Sequence, residues 1–560
     1  MFSGKILAVA AFVAASIGGS AAAAAPPADL RAQADAIVQG AYPADGPGAS
    51  VIVTRGGQTL YTAGRGLADV ETRRPISADT VFRLGSITKQ FTASVILQLV
   101  QEGRISLDDP VSRFFPDYPR PGATATVRQL LNHTSGIQSY TSIPGFMVEA
   151  NTNREYSTAQ MIALFRDLPS RTPPGAAWAY NNSGYVLLGA IIETVTRRPW
   201  HQAVAERITG PLRLRSIGYG VEREGRPDMA RGYTMSDGAV RPAMRTHMSV
   251  PHGAGALVGT VSDLARWNHA LHHGRVVGPA LYTAMTTPAS LPEGRTHPYG
   301  FGLGFDELRG RPTIQHGGGI SGFITDSIYV PAEDLFVAVF ANSDEPATPP
   351  ALVARRLAAL ALGQPYRTFT RAEIDMQALA PLFGVYRVGE AGVSRRFFAR
   401  DGKLFTMRDE GGEREVIPAR NDEFFYADGF TWFRMVRRSD GAHVMEMHQN
   451  GADEAELATR TGDIPAAPAA AAVPRAVLQS YVGHYETEGP AADVAMGADG
   501  VLTVQLSGQP AIPLRPTSET EFTVEGVGAR LVFHRENGQV NRFTIHQGGR
   551  QLEGRRAPPR

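Results

Sequence analysis

Cysteine is absent from all 560 residues. That excludes disulfides, thiolate metal sites, a cysteine nucleophile and lipid attachment through an N-terminal cysteine. Excess charge of either sign is missing too: 55 Lys and Arg stand against 54 Asp and Glu, for a net charge of +1. No global field therefore favours nucleic acid or an anionic membrane. There is no Gly-x-Ser-x-Gly elbow, and Gly253-x-Gly255 lacks the third glycine of a dinucleotide fingerprint, so neither an α/β-hydrolase nor a nucleotide cofactor is supported. After the first residues no apolar run is long enough to span a bilayer.

What is present describes a globular chain, with 43% hydrophobic and 19% charged residues. Its length suggests about three or four domains. Residues 1–25 have a signal-peptide layout: Lys5, an apolar run from Ile6 to Ile17, then small residues ending Ala23-Ala24-Ala25 before Pro26-Pro27. The expectation is a periplasmic or secreted protein whose mature chain has no membrane span.

From Ala49 to Gly66 two β-rich runs flank Arg55-Gly56-Gly57-Gln58, a hairpin signal. Residues 87–102 read as a helix apolar on nearly every side and closed by Gly103. Further helical patterns cover 127–132, 158–167, 183–197 and 261–273, and strand character returns at 313–316, 324–330 and 335–341. Strands at both ends with helices between them predict an α/β layer domain over 27–365, built on one antiparallel sheet assembled from distant segments.

Beyond residue 365 an internal repeat appears. Phe383-Gly384-Val385-Tyr386 matches Val482-Gly483-His484-Tyr485 at a separation of 99. Asp401-Gly402, Glu423-Phe424 and His448-Gln449 match Asp499-Gly500, Glu521-Phe522 and His546-Gln547 at a separation of 98. Two all-β modules, 375–462 and 477–557, are expected as small antiparallel barrels joined by a Pro/Ala linker at 463–476. His448 and His546 are read as barrel packing rather than as metal ligands.

The stretch "FRLGSITKQF" places Ser86 three positions before Lys89 at a helix start. A serine there is a common N-cap. A serine hydroxyl is also a weak nucleophile that needs a neighbouring base, and i, i+3 residues share a helix face. Burial would lower the lysine pKa and make its amine a proton acceptor. Two other stretches suit the same chemistry. "PPGAAWAYNNSGYVLLG" offers Tyr180 and Asn182 on a turn feeding a helix, and "HGGGISGF" offers His316 followed by glycines that let a strand approach a ligand.

Taken in order with "TVRQLLNHTSGI", "GALVGTVSDLARW" and "YGFGLGF", these segments over residues 82–323 resemble the serine β-lactamase and penicillin-binding-protein superfamily. Tyr180-x-Asn182 is similar to the branch of class C β-lactamases, D-aminopeptidases and related esterases. The resemblance implies Ser86 as acylated nucleophile, Lys89 as its proton acceptor and Tyr180 as partner base. It makes Asn182, His316 and Gly318 substrate-binding, with an oxyanion hole from the N–H groups of Ser86 and Gly319. It implies no cofactor and no metal, and a small-molecule or short-peptide partner; nothing in the sequence points to an oligomeric state.

Histidine stands at 316 where lactamases and DD-peptidases of this superfamily usually carry lysine, and a neutral imidazole selects a substrate carboxylate less strongly. D-aminopeptidases resemble the layout as a whole, a penicillin-recognising domain followed by two β-barrels, one of which contributes a loop to the active-site mouth. The expected activity is that of an exported peptidase or amidase acting on short peptides or amides with a D-residue. The alternatives are a class C-like esterase or weak β-lactamase, and a non-catalytic peptide or peptidoglycan binder. His133 is read as structural, and His269, His272 and His273, before Gly274, as ordinary helix-end residues.

Overall fold

The computed structural model describes residues 29–557 apart from 390–391, 410, 466–469, 488–490, 498, 507–508, 525–527, 537–538 and 548–549. The signal-like segment 1–25 and the centre of the Pro/Ala linker lie outside the described residues. The chain divides into two compact units, one formed by residues up to 106, 195–243 and 255–365, the other by 107–194, 244–254 and 366–560.

The first unit is built on a six-stranded antiparallel sheet. Helix α1 (Leu30–Ala41) precedes β1 (Ala49–Arg55) and β2 (Gln58–Arg65). Helix α2 (Thr88–Gln101) and helix α3 (Val261–His272) follow. Then come β3 (Gly304–Leu308), β4 (Arg311–Ile320), β5 (Phe323–Val330), β6 (Leu335–Ala341) and helix α4 (Pro350–Ala361). The strand order is β3-β4-β5-β6-β1-β2. Pairing of Val51 with Val339 and of Ile52 with Ala338 joins the two ends of the region, as the sequence pattern requires.

Strands β1 and β6 are buried along almost their whole length, which explains their unbroken apolar runs: helices cover both faces. Along β5 alternate residues divide between those faces. Thr325 donates to the carbonyl of Leu84, and Tyr329 stacks on His272 of α3, on one side. Asp326 lies on the side of α4, where burial raises its carboxyl to about 7 and the charge of Arg355 partly opposes that rise. Phe91 of α2 stacks on Trp267 of α3 with ring centres 4.1 Å apart, and Gln90 accepts a hydrogen bond from the same indole, so α2 is locked behind α3.

In the second unit, residues 107–194 supply short helices with polar starts. Thr126 and Gln129 form a capping box ahead of Val127–Leu131, and Ser157 and Gln160 do the same for Thr158–Ala163. The helix Asn182–Thr196 is buried from Ser183 to Ile192. Among the described residues no helix is long and apolar enough to cross a membrane.

Residues 384–462 and 483–556 form two closed, eight-stranded antiparallel barrels. Their repeated motif has a common physical basis. Tyr386 and Tyr485 point into the barrel cores, and each hydroxyl donates to a carbonyl four residues earlier, that of Leu382 and Tyr481 respectively. The glycine two positions before each tyrosine leaves room for an arginine from the last strand. A Cβ on Gly384 would sit 2.6 Å from Arg460 Nε, and one on Gly483 would sit 2.8 Å from Arg556 Nε. Arg460 donates to the carbonyl of Phe383, and Arg556 to that of Val482. His448 stacks flat on Trp432 at 3.9 Å, which is a packing arrangement.

Gly384→Ala should therefore destabilise the first barrel by about 1–3 kcal/mol, since the new methyl also meets the Gly462 carbonyl at 2.6 Å. Thermal unfolding of the full chain should show a lower midpoint for the transition assigned to that barrel, and an unchanged profile would contradict the packing argument.

Candidate active site

Ser86 sits in a single 3-10 turn, Gly85–Ile87, that runs straight into α2. Its side chain does not cap the helix. The Lys89 Nζ lies 3.0 Å from Ser86 Oγ, one turn further on. Lys89 is completely buried (0% exposed), and that desolvation holds its amine well below the ordinary lysine range. A lysine in that state can turn a lone pair to the hydroxyl and take its proton. Ser86 is only half-buried, so its hydroxyl remains reachable while the neighbouring amine is dry.

Strand β4 passes beside this turn at a distance that only glycine permits. A Cβ on Gly318 would lie 2.1 Å from the Leu84 carbonyl oxygen and 3.0 Å from the Ser86 nitrogen. Gly85, at φ +54°, faces it: a Cβ there would lie 3.0 Å from the Gly319 nitrogen. Thr325 of β5 donates to Leu84 O at 2.9 Å and ties the turn to the sheet. Gly302, also at positive φ, lets the segment before β3 close against the backbone of Lys89.

Strand β3 pairs only with residues 311–315 of β4, whereas β5 pairs with 314–320. Residues 316–320 thus have one strand partner among the described residues. The two-residue turn Ser321-Gly322 makes Ile320 and Phe323 the closing pair of the β4–β5 hairpin. Alternation then sends the backbone polar groups of Gly319 and Gly317 toward the unpaired edge. Gly319 is exposed where Gly318 is buried.

His316 is buried at the start of this edge. Its Nε2 lies 2.8 Å from Tyr299 Oη, and its Nδ1 2.6 Å from the Gly317 carbonyl. The carbonyl can only accept, so Nδ1 carries the proton and Nε2 accepts from the tyrosine. Burial first, and the neighbouring Lys89 second, lower the imidazole pKa to about 4. The ring is neutral at physiological pH, a stronger form of the expectation drawn from histidine's ordinary value.

The second unit carries the Tyr-x-Asn motif. Tyr180 is 38% exposed and its ring lies 4.4 Å from that of His133. Asn182 opens the buried helix, its N–H donating to Ser139 Oγ at 3.3 Å and its amide to Thr141 Oγ1 at 3.4 Å. Between them Asn181 is 4% exposed: it donates to the Ile137 carbonyl, accepts from Gly184 N and donates its own N–H to His133 Nδ1 at 3.2 Å. His133, at φ +64° and 1% exposed, thus supports the turn that presents Tyr180.

Ser86, Lys89, His316, Gly318 and Gly319 therefore come together in the first unit, and Tyr180 and Asn182 in the second. Sequence reasoning passed over Tyr299, Thr325, Gly85 and Asn181. The first lies inside the quoted "YGFGLGF" segment and the last inside the tyrosine motif, but their roles are set by distant partners.

Comparison with known proteins identifies the family. Residues 34–362 match the family described as Beta-lactamase, more than half of the chain, and the protein belongs to that family. That membership makes it a serine hydrolase of the β-lactamase-related class. It is 30% identical over 357 residues to a D-aminopeptidase of Gluconobacter oxydans, a match covering 63% of this chain and 65% of that protein. It is 24% identical to penicillin-binding protein 4* of Bacillus subtilis, over 73% of this chain and 95% of the relative. A solved octameric penicillin-binding protein homologue from Pyrococcus abyssi superposes with a TM-score of 0.53 at 25% identity, covering 76% of this chain and 98% of that one.

Replacing Lys89 by arginine should lower kcat/KM at least about 10²-fold, as should replacement by methionine, because a guanidinium cannot give up its proton. Steady-state kinetics on any turned-over ester would show it; retained activity in Lys89→Arg would exclude the lysine as proton acceptor.

Proposed function

We propose that the protein hydrolyses short peptides or amides by way of an acyl-enzyme on Ser86, releasing an N-terminal D-residue. The single observation that carries this reading is a dry Lys89 amine 3.0 Å from Ser86 Oγ, beside a strand edge headed by a neutral His316. The edge offers backbone hydrogen bonds to an extended substrate but no permanent cation for a terminal carboxylate. Substrates without a carboxylate next to the scissile bond are favoured by that chemistry. The D-aminopeptidase relatives support the choice of substrate class.

In the proposed reaction Lys89 accepts the Ser86 proton as Oγ attacks the carbonyl carbon. The N–H groups of Ser86 and Gly319 stabilise the resulting oxyanion, a contribution worth about 10²- to 10³-fold per donor. The amine leaves with a proton from Tyr180, the resulting phenolate takes a proton from the attacking water, and Lys89 returns its proton to Ser86 Oγ as the acid is released. Asn182 orients the substrate amide, with His316 and Gly318 shaping the strand side. Tyr180 and Asn182 take these roles from their place in the motif. The signal-like residues 1–25 support export to the periplasm or beyond.

An ester reading has its own support. The neutral edge tolerates esters equally, and Esterase EstB of Burkholderia gladioli is 31% identical over 39% of this chain. A panel of a D-amino-acid p-nitroanilide, its L-enantiomer, a short-chain p-nitrophenyl ester and nitrocefin separates the readings. Turnover of the D-anilide above the L-anilide is expected, with loss of all activity and of covalent labelling in Ser86→Ala. Turnover of the ester alone would end the aminopeptidase reading.

The pH dependence follows from the two lowered pKa values. Activity should rise with pH as Lys89 loses its proton and then persist upward. The fall on the acid side should not move in His316→Gln, because His316 titrates only near pH 4. A pH–kcat/KM profile of both proteins measures this.

A further inference from the structure

The three histidines at the end of α3 do not act as a set. His272 is half-buried, stacks on Tyr329 at 4.1 Å and lies 2.7 Å from Tyr282 Oη. His269 and His273, four residues apart, share the other helix face, with ring centres 4.0 Å apart. A carboxylate from 61 residues downstream joins them: Asp334, in the turn between β5 and β6, places Oδ2 3.2 Å from His273 Nε2 and 4.0 Å from His269 Nδ1. One ligand atom from each residue lies within 4.8 Å of the other two. We infer that His269, His273 and Asp334 form a binding site for a divalent transition-metal ion of the zinc type, clipping the end of α3 to the β5–β6 turn.

The hydrogen bonds around the trio are those such a site needs. His273 Nδ1 lies 2.8 Å from the His269 carbonyl, which can only accept, so Nδ1 carries a proton and Nε2 is the nitrogen turned to Asp334. A histidine whose other nitrogen donates to a backbone carbonyl is the usual arrangement at a metal. His269 Nδ1 is buried and has no hydrogen-bond partner.

Asp334 is fixed from two sides. Tyr329 Oη donates to its Oδ1 at 3.0 Å, and Gly56 N–H donates to its backbone carbonyl at 3.0 Å. The neighbouring Glu333 is engaged with Arg311 and does not compete. Gly57 makes space for the His269 ring, which a Cβ there would meet at 3.1 Å. Tetrahedral zinc with bonds near 2.1 Å spaces its ligand atoms about 3.4 Å apart, so small side-chain rotations complete the site and leave a fourth position for water. Two imidazoles and one carboxylate suit zinc and its neighbours better than magnesium or calcium.

The test uses untagged full-length protein with Zn²⁺ and Co²⁺ as probes. Equilibrium dialysis with metal analysis should give one tightly held Zn²⁺ per chain. His273→Gln and Asp334→Asn should weaken that binding at least tenfold, while His201→Gln, elsewhere in the same unit, leaves it unchanged. Zn²⁺ should raise the thermal midpoint of the wild type and of Ser86→Ala, but not of Asp334→Asn, and Co²⁺ should give a visible d–d spectrum that His273→Gln abolishes. Circular dichroism checks that each variant is folded, and His273→Gln keeps a side chain able to hydrogen-bond to Asp334 should Asp334→Asn prove unstable. Equal Zn²⁺ binding in wild type and His273→Gln, or no Zn²⁺ effect on the wild-type midpoint, would overturn the inference and leave a plain histidine–aspartate ion pair.

Discussion

The reaction proposed for this protein depends on keeping one ammonium group out of water. A lysine amine in solvent is protonated at any physiological pH and cannot serve as a base. Here α2 is buried on nearly every side and packed behind α3, so Lys89 is enclosed and its charged form is penalised. The arrangement costs folding free energy, because an amine is taken out of water. The Phe91–Trp267 stack and the surrounding aliphatic packing offset that cost, which ties the catalytic function directly to core density.

The second constraint is steric. The turn that carries Ser86 and the strand edge meet almost backbone to backbone, and Gly85 and Gly318 are the residues at that contact. Thr325 then holds the turn with a hydrogen bond to Leu84. Substrate placed along this edge would find both backbone donors and the serine hydroxyl already oriented, so little ordering remains to be done when it binds. His316 contributes by what it lacks: buried beside Lys89 and satisfied by Tyr299 and Gly317, it brings no charge to the edge.

Most elements with strong local signals were legible in the sequence. The hairpin at Gly56-Gly57, the apolar helix after Ser86, the strands at 324–330 and 335–341 and the duplicated β modules all announce themselves by periodicity or by repetition. Helices α1 and α4 do not, because both are alanine-rich and their pairing appears only once the sheet exists. Strand β4 is longer than the four-residue "TIQH" run because its second half is the glycine segment, which has no β propensity of its own and is held by pairing with β5. Of the site, the motif residues could be named, but Tyr299, Asn181 and Thr325 gain their roles from hydrogen bonds to groups 17 to 241 positions away. The histidine trio shows the same limit, since adjacency in the chain grouped His272 with its neighbours and the fold replaced it with Asp334.

The paired arginine–glycine contacts in the barrels carry one more consequence. Two β modules of common design, joined by a short tether, are ideally placed to lend strands to one another. Each instead seals its first and last strands with a guanidinium seated over its own glycine, Arg460 on Gly384 and Arg556 on Gly483. Neither cylinder offers a raw border to its twin, so duplication added a second folded body without inviting entanglement, and the rim loops are left free to diverge.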